Sequence, residues 1–169
     1  METTEKLTIA IRGEWWDWAH PVDGSPAHLL QHGHNVITDL GLALAAGAIG
    51  IIGHGIKTWQ IGRGLPDWDT VPPADPDGTE TALVDPIIEK DLTVRYWDTG
   101  LDAFSVDPTN VLDARIVLEA SEANDDLREF GIRGAQSGDV LFNYVIHGKI
   151  VKTDTYNLER IMRFTIDRA

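Results

Sequence analysis

Cysteine is missing from all 169 residues. That excludes disulfide staples, zinc–thiolate centres and thiol nucleophiles together. Basic residues are scarce: 14 Lys and Arg stand against 27 Asp and Glu, for a net charge of −13. Phosphate binding needs a basic face, so nucleic acid is not expected as a partner. Long apolar runs are also absent. The longest, LGLALAAGAIGII at residues 40–52, has 13 residues and includes three glycines. It falls short of a membrane span and reads as a buried helix. The opening METTEKLTIAI is acidic and lacks the basic-then-apolar order of a signal peptide, so no leader is expected there. There is no GxSxG elbow and no recognisable order of a hydrolytic triad, and no catalytic activity is expected.

What is present suits one soluble domain spanning residues 1–169, with 43% hydrophobic and 24% charged residues. KLTIAIR at residues 6–12 alternates apolar and polar positions, as a half-buried strand does. From Asn35, a candidate cap, the period lengthens: Ile37, Leu40, Leu44 and Ala48 predict one amphipathic helix over about residues 36–49. IKTWQIG at residues 56–62 returns to strand composition. LTVRYW, DARIVL, residues 127–132, VLFNYVI, residues 149–153 and RIMRFTI then follow. Turn signals separate the later segments: Asp107-Pro108, Asn124-Asp125-Asp126, Ser137-Gly138-Asp139 and His147-Gly148. The expected fold is mainly β (α+β), an antiparallel β-sandwich of about seven or eight short strands with the helix packed on one side or end. A Pro-rich loop at residues 63–80 and a Trp-rich segment at residues 13–28 interrupt the pattern.

Four features invite a functional reading. WQIGRGLPDWD, at residues 59–69, resembles the start of a phosphate loop. However, Gly64 is followed by Leu65 and Pro66, so no helix N-terminus can face a phosphate. The glycines are expected instead to allow an unusual φ or a close backbone approach. His28, His32 and His34 lie within seven residues, and HGH places two imidazoles on one strand face; with Asp39 this faintly suggests half of a cupin metal site. The upstream glycine and the distant third histidine of that pattern are out of register, so His32 and His34 stay weak metal candidates. Asp67/Asp69 and the pair Asp75/Asp77 before Gly78 offer oxygen ligands for calcium, although Asp-Pro-Asp-Gly is first a turn sequence. No metal or other cofactor is expected to be required. Finally, Trp15, Trp16 and Trp18 form a dense group. Neighbouring strand residues face opposite ways, so at least one is expected in the core or at an interface. Trp15, Trp16, Trp18, Trp68, Pro72 and Pro73 are the candidate partner-contact residues.

Five segments occur in an order that resembles virion structural proteins of tailed phages, of the tail-fibre, collar or baseplate-associated type. They are NVITDLGLALAAG, TWQIGRG, PPADPDGTETAL, REFGIRGA and DVLFNYVIHGKIVKTDTYNLERIMRFTI, together spanning roughly residues 35–166. The Trp-rich GEWWDWAHPVDGSPAH has no counterpart in that set. The resemblance implies a non-enzymatic assembly protein located in the virion and, during assembly, in the host cytoplasm. It also implies a homo-oligomer contacting other virion proteins. In that setting the loop at residues 65–80 would drape over an adjacent subunit, and the strand at residues 160–166 would be an edge for pairing. The alternatives are a carbohydrate-binding sandwich using the Trp cluster, with calcium or a host surface glycan, and a cupin-like metal protein.

Overall fold

The computed structural model describes residues 9–38, 41, 55–134 and 140–168. Among them are eleven strands: β1 (Ile9–Pro21), β2 (His28–His34), β3 (Val36–Ile37), β4 (Ile56–Gly62), β5 (Pro86–Asp91), β6 (Thr93–Asp98), β7 (Ala103–Ser105), β8 (Val111–Leu118), β9 (Asp126–Gly134), β10 (Leu141–Val151) and β11 (Tyr156–Arg168). A single 3-10 turn covers Pro66–Asp69. Two sheets result, one in the order β2-β1-β11-β8-β6-β7 and the other β3-β10-β9-β4-β5. Every pairing is antiparallel.

Alternation places the core. In β11, Leu158, Met162 and Phe164 are buried, while the intervening Glu159, Ile161 and Arg163 turn outward. In β1, Trp15, Asp17 and Ala19 point inward and Trp16 outward, as expected for consecutive tryptophans on a strand. Phe130 on β9 then joins the sheets: its ring centroid lies 5.3 Å from Trp15 of β1 and 5.1 Å from Trp59 of β4. Burying a side chain of that size contributes roughly 3 kcal/mol, so this trio anchors the two layers to each other.

The sandwich matches the expected fold class, but several elements differ from the sequence expectation. Among the described residues the strands number eleven rather than seven or eight. The segment from residue 36 starts as a strand, not a helix: Val36 and Ile37 pair with Tyr144 and Asn143 of β10. Pairing available across the sheet overrides a local helical period, and β-branched residues suit it. Asn35 caps nothing among the described residues, its side-chain amide being buried without a hydrogen-bond partner. The Thr38 hydroxyl accepts the Gly41 N–H at 2.9 Å, an i to i+3 contact, and Gly41 is helical. The rest of the predicted helix, with Asp39, lies outside the described residues. His147-Gly148 is not a turn between strands but an irregularity inside β10, where the register shifts between Ile146 and Ile150. Residues 160–166 are no edge either, because β11 runs between β1 and β8.

Candidate functional site

The outer face of the five-stranded sheet is covered by the chain itself. Glu129, fully buried on β9, accepts hydrogen bonds from the backbone N–H groups of Gly64 (3.2 Å), Val84 (3.0 Å) and Asp85 (2.7 Å), and from the Tyr144 hydroxyl (2.6 Å). One carboxylate thereby ties both ends of the segment 63–85 to the sheet. Burial, then the neighbouring Glu129, push the Tyr144 hydroxyl well above the usual tyrosine range. Leu83 closes the covering by packing on Leu141 and Tyr144. Farther along, Arg128 grips Asp69 with Nε at 2.7 Å and Nη2 at 2.9 Å, and Lys149 joins at 2.7 Å. These two cations, Arg128 foremost, hold the Asp69 carboxyl far below its ordinary range.

The glycines of the Gly-Arg-Gly stretch serve this loop. Gly64 has φ +60° and lies directly under the Trp68 ring, and a Cβ at Gly62 would come within 2.7 Å of the Asp85 carbonyl. Both uses match the structural reading over the phosphate reading. The loop of residues 63–80 is thus fastened to its own chain at both ends and at Asp69, with its outer side left facing away from the sheet. Its outer side leaves an open cleft of about 510 Å³ between Trp68, Pro72, Pro73 and Asp75 on one wall and Ile146 to Lys149 on the other.

Beneath that cleft is a buried polar chain that connects the sheets. Arg160 of β11 meets Asp17 of β1 through two 2.5 Å bonds, with both side chains inaccessible to water. Its guanidinium carbon lies 3.9 Å from the centre of the Phe130 ring, and Nη2 donates to Nε2 of His147 at 3.2 Å. His147 Nδ1 lies 2.7 Å from the Gly148 carbonyl, so Nδ1 carries the proton and Nε2 is the acceptor. Burial first, and Arg160 second, hold the His147 imidazole well below its ordinary range. Burial pushes the Asp17 carboxyl upward against the opposing pull of Arg160.

The outer face of the six-stranded sheet is different: it is aromatic, and no segment among the described residues covers it. Trp16 stacks on His32 at 5.1 Å with 17° between planes. Arg163 is held by Asp113 at 2.7 and 2.9 Å and spans the gap between Trp16 (5.7 Å) and Trp97 (4.4 Å). Trp97 meets Phe104 edge to face at 4.9 Å, and Arg95 lies 3.9 Å over Phe104. A small recess of about 290 Å³ adjoins the strip, lined by Arg12, Glu14, His34, Arg163 and Thr165.

The sequence candidates are therefore dispersed. His32 and His34 do share a face, but His32 is occupied with Trp16, and His34 lies 3.8 Å from Glu14 on the edge strand. Asp77 accepts from the Thr79 N–H at 2.9 Å and hydroxyl at 2.6 Å, closing its own turn, and Asp75 lies apart on the cleft wall. Among the described residues no three His, Asp or Glu side chains converge on a metal-sized point. Trp15 belongs to the core, at 4% exposure, and so leaves the set of surface contacts. Trp16 and Trp18 stay half-exposed, as does Trp68. The sequence reading missed Asp17, Glu129, Arg160 and Lys152. The first and third had a signal: each is a charge at the inward parity of an apolar strand, and the charges are opposite. Lys152, also buried, donates to carbonyls of Glu119, Ala120 and Thr153 and to Asn124 at 2.8–3.2 Å, holding the turn that precedes β9. No helix among the described residues is long and apolar enough to cross a membrane. No protein-family model matches the chain, and neither a curated protein nor a solved structure does.

Proposed function

We propose that the chain is a non-enzymatic structural protein of a tailed virus particle, a tail, neck or baseplate component that acts through subunit contacts. The observation that carries this reading is the bare outer face of the six-stranded sheet. Trp16, Trp97 and Phe104 stand there, interleaved with Arg163 and Arg95. Trp and Arg in a contiguous patch are the residues that dominate binding energy at protein interfaces. A solvated sheet face ordinarily alternates to polar side chains, so such a strip calls for a covering surface. The buried charges support the same reading, because Asp17, Arg128, Glu129 and Arg160 are committed to bonds that hold strands and loop together. The ordered segments of residues 35–166 that resemble virion proteins supply the setting.

The decisive experiment is cryo-microscopy of purified particles, combined with mass spectrometry of their proteins. The expected result is density for this sandwich at a symmetric position in the tail, neck or baseplate. Particles that are complete without the chain overturn the reading. A carbohydrate-binding module is the second reading, favoured by the same exposed tryptophans. It predicts glycan binding lost in Trp16→Ala, where the virion reading predicts lost assembly with glycan arrays silent.

A further inference from the structure

We infer that the aromatic–arginine face of the six-stranded sheet is the seat of a second copy of this chain, which presents the acidic loop of residues 65–80, so that copies join head to tail. The inference rests on the assembly reading above and adds which surfaces meet.

Two observations point to an acidic occupant. Arg12 has no carboxylate within 4.0 Å among the described residues, and Arg95 lies over Phe104 with its Nε buried and without a hydrogen-bond partner. Two uncompensated guanidinium groups on one face are unexpected in a chain with 27 acidic residues, where counter-charges are abundant. On this face Arg12, Arg95, Arg163 and Arg115, the last paired with Glu159, accompany four carboxylates: Glu14, Asp113, Glu159 and Asp102, which acts on Arg163 from the turn between β6 and β7. That leaves ten basic residues against 23 acidic ones for the remainder of the chain. The face is thus close to neutral with free cations, and the rest of the chain is strongly acidic. Such complementarity favours and orients encounter.

The location of the acid decides the geometry. The loop carries Asp67, Asp69, Asp75, Asp77 and Glu80 beside the half-exposed Trp68. Its two ends are fastened to the five-stranded sheet through Glu129 and Leu83, and its middle through Asp69 to Arg128 and Lys149 of the same sheet. The two surfaces are therefore separate: the arginine face belongs to the six-stranded sheet, and the loop is held by the five-stranded one. A two-fold contact centred on either surface would place like on like, acid on acid or arginine on arginine. A head-to-tail contact sets the loop of one copy on the arginine face of the next, and repeats until the rotation closes a ring or runs on as a stack. Asp67 and Asp75, which make no ion pair within the chain among the described residues, are the carboxylates free to meet Arg12 and Arg95.

Charge-swap variants of the full chain, followed by sedimentation velocity and light scattering, test this. The wild type is expected to be a salt-sensitive oligomer. The face variant Arg12→Glu/Arg95→Glu and the loop variant Asp67→Lys/Asp75→Lys should each weaken association by about tenfold or more. All four substitutions in one chain should restore it. Mixing the two double variants should also restore it, because each then meets its complement. Circular dichroism checks that every variant is folded, and all four positions are solvent-facing apart from the Arg95 stem. A wild type that stays monomeric at all concentrations overturns the proposal, and so does an oligomer indifferent to both swaps. A monomer that is nevertheless found in particles sinks this interface and leaves the virion reading standing. A swap-sensitive oligomer with no place in particles does the reverse.

Discussion

Glu129 answers four donors from three separated stretches of chain, and none of the four has another acceptor to hand once the loop has closed. Removing the carboxylate leaves buried N–H groups without partners, a larger loss than the net worth of the bonds themselves. Glu129→Ala is therefore expected to cost about 3 kcal/mol in urea unfolding. Tyr144→Phe, which deletes one donor and orphans nothing else, should cost about 1 kcal/mol. Equal costs for the two would show that Glu129 does not act as the loop's common anchor. His147 offers a pH handle at the same scale. Its folded imidazole is held neutral by burial and by Arg160. Below about pH 6.5 the unfolded chain takes up a proton that the folded ring refuses. The stability it lends is present above that pH and is lost as pH falls, at up to about 1.4 kcal/mol per pH unit from this group. His147→Gln should flatten that part of the stability profile between about pH 6.5 and pH 5. A variant with the wild-type slope would mean that His147 is protonated in the folded protein as easily as in the unfolded one.

Among the elements, the segment after β4 depends on one backbone conformation. Gly64 at φ +60° turns the chain so that Trp68 lies back over it. A side chain there meets both the left-handed penalty and the indole ring. Gly64→Val is expected to lower stability by about 2–3 kcal/mol and to shift Trp68 emission to the red as the ring is displaced. Unchanged emission would place the ring elsewhere. This element shows what a sequence does and does not reveal. The strand character of IKTWQIG and the need for a glycine after it were legible from alternation and from the proline that follows. The destination of the loop was not, because it depends on Glu129, 65 residues away from Gly64. Likewise RIMRFTI was legible as a strand, and its place in the middle of a sheet was not. Register with β1 and β8 is a property of three distant segments. Val36 and Ile37 were misread for the same reason: a partner strand more than 100 residues on outweighed the local period. The aromatic face was half legible. Alternation separated Trp15 from Trp16, but only the strand order brings Trp97 and Phe104 alongside Arg163.

At the scale of the whole molecule, the question is whether two sheets amount to two units. The sequence order interleaves them: β1 and β2 enter one sheet, β3 to β5 the other, β6 to β8 the first again, β9 and β10 the second, and β11 returns to the first. Neither sheet can be completed before most of the chain is in place, and much of the pairing is long-range, which favours slow and concerted folding. The interior is shared as well. Trp15, Met162 and Phe164 from one sheet pack in one cluster with Trp59, Phe130, Phe142 and Val145 from the other, and Arg160 carries the contact onward to His147. Separating the layers would expose that cluster and strand the Asp17–Arg160 pair, so half-unfolded states lie high in free energy. Urea unfolding followed by far-ultraviolet circular dichroism, which reports both sheets, should therefore coincide with tryptophan emission, which is weighted to the core by Trp15 and Trp59. Two separated transitions would mean that the sheets are stable independently and that the Phe130 cluster does not couple them.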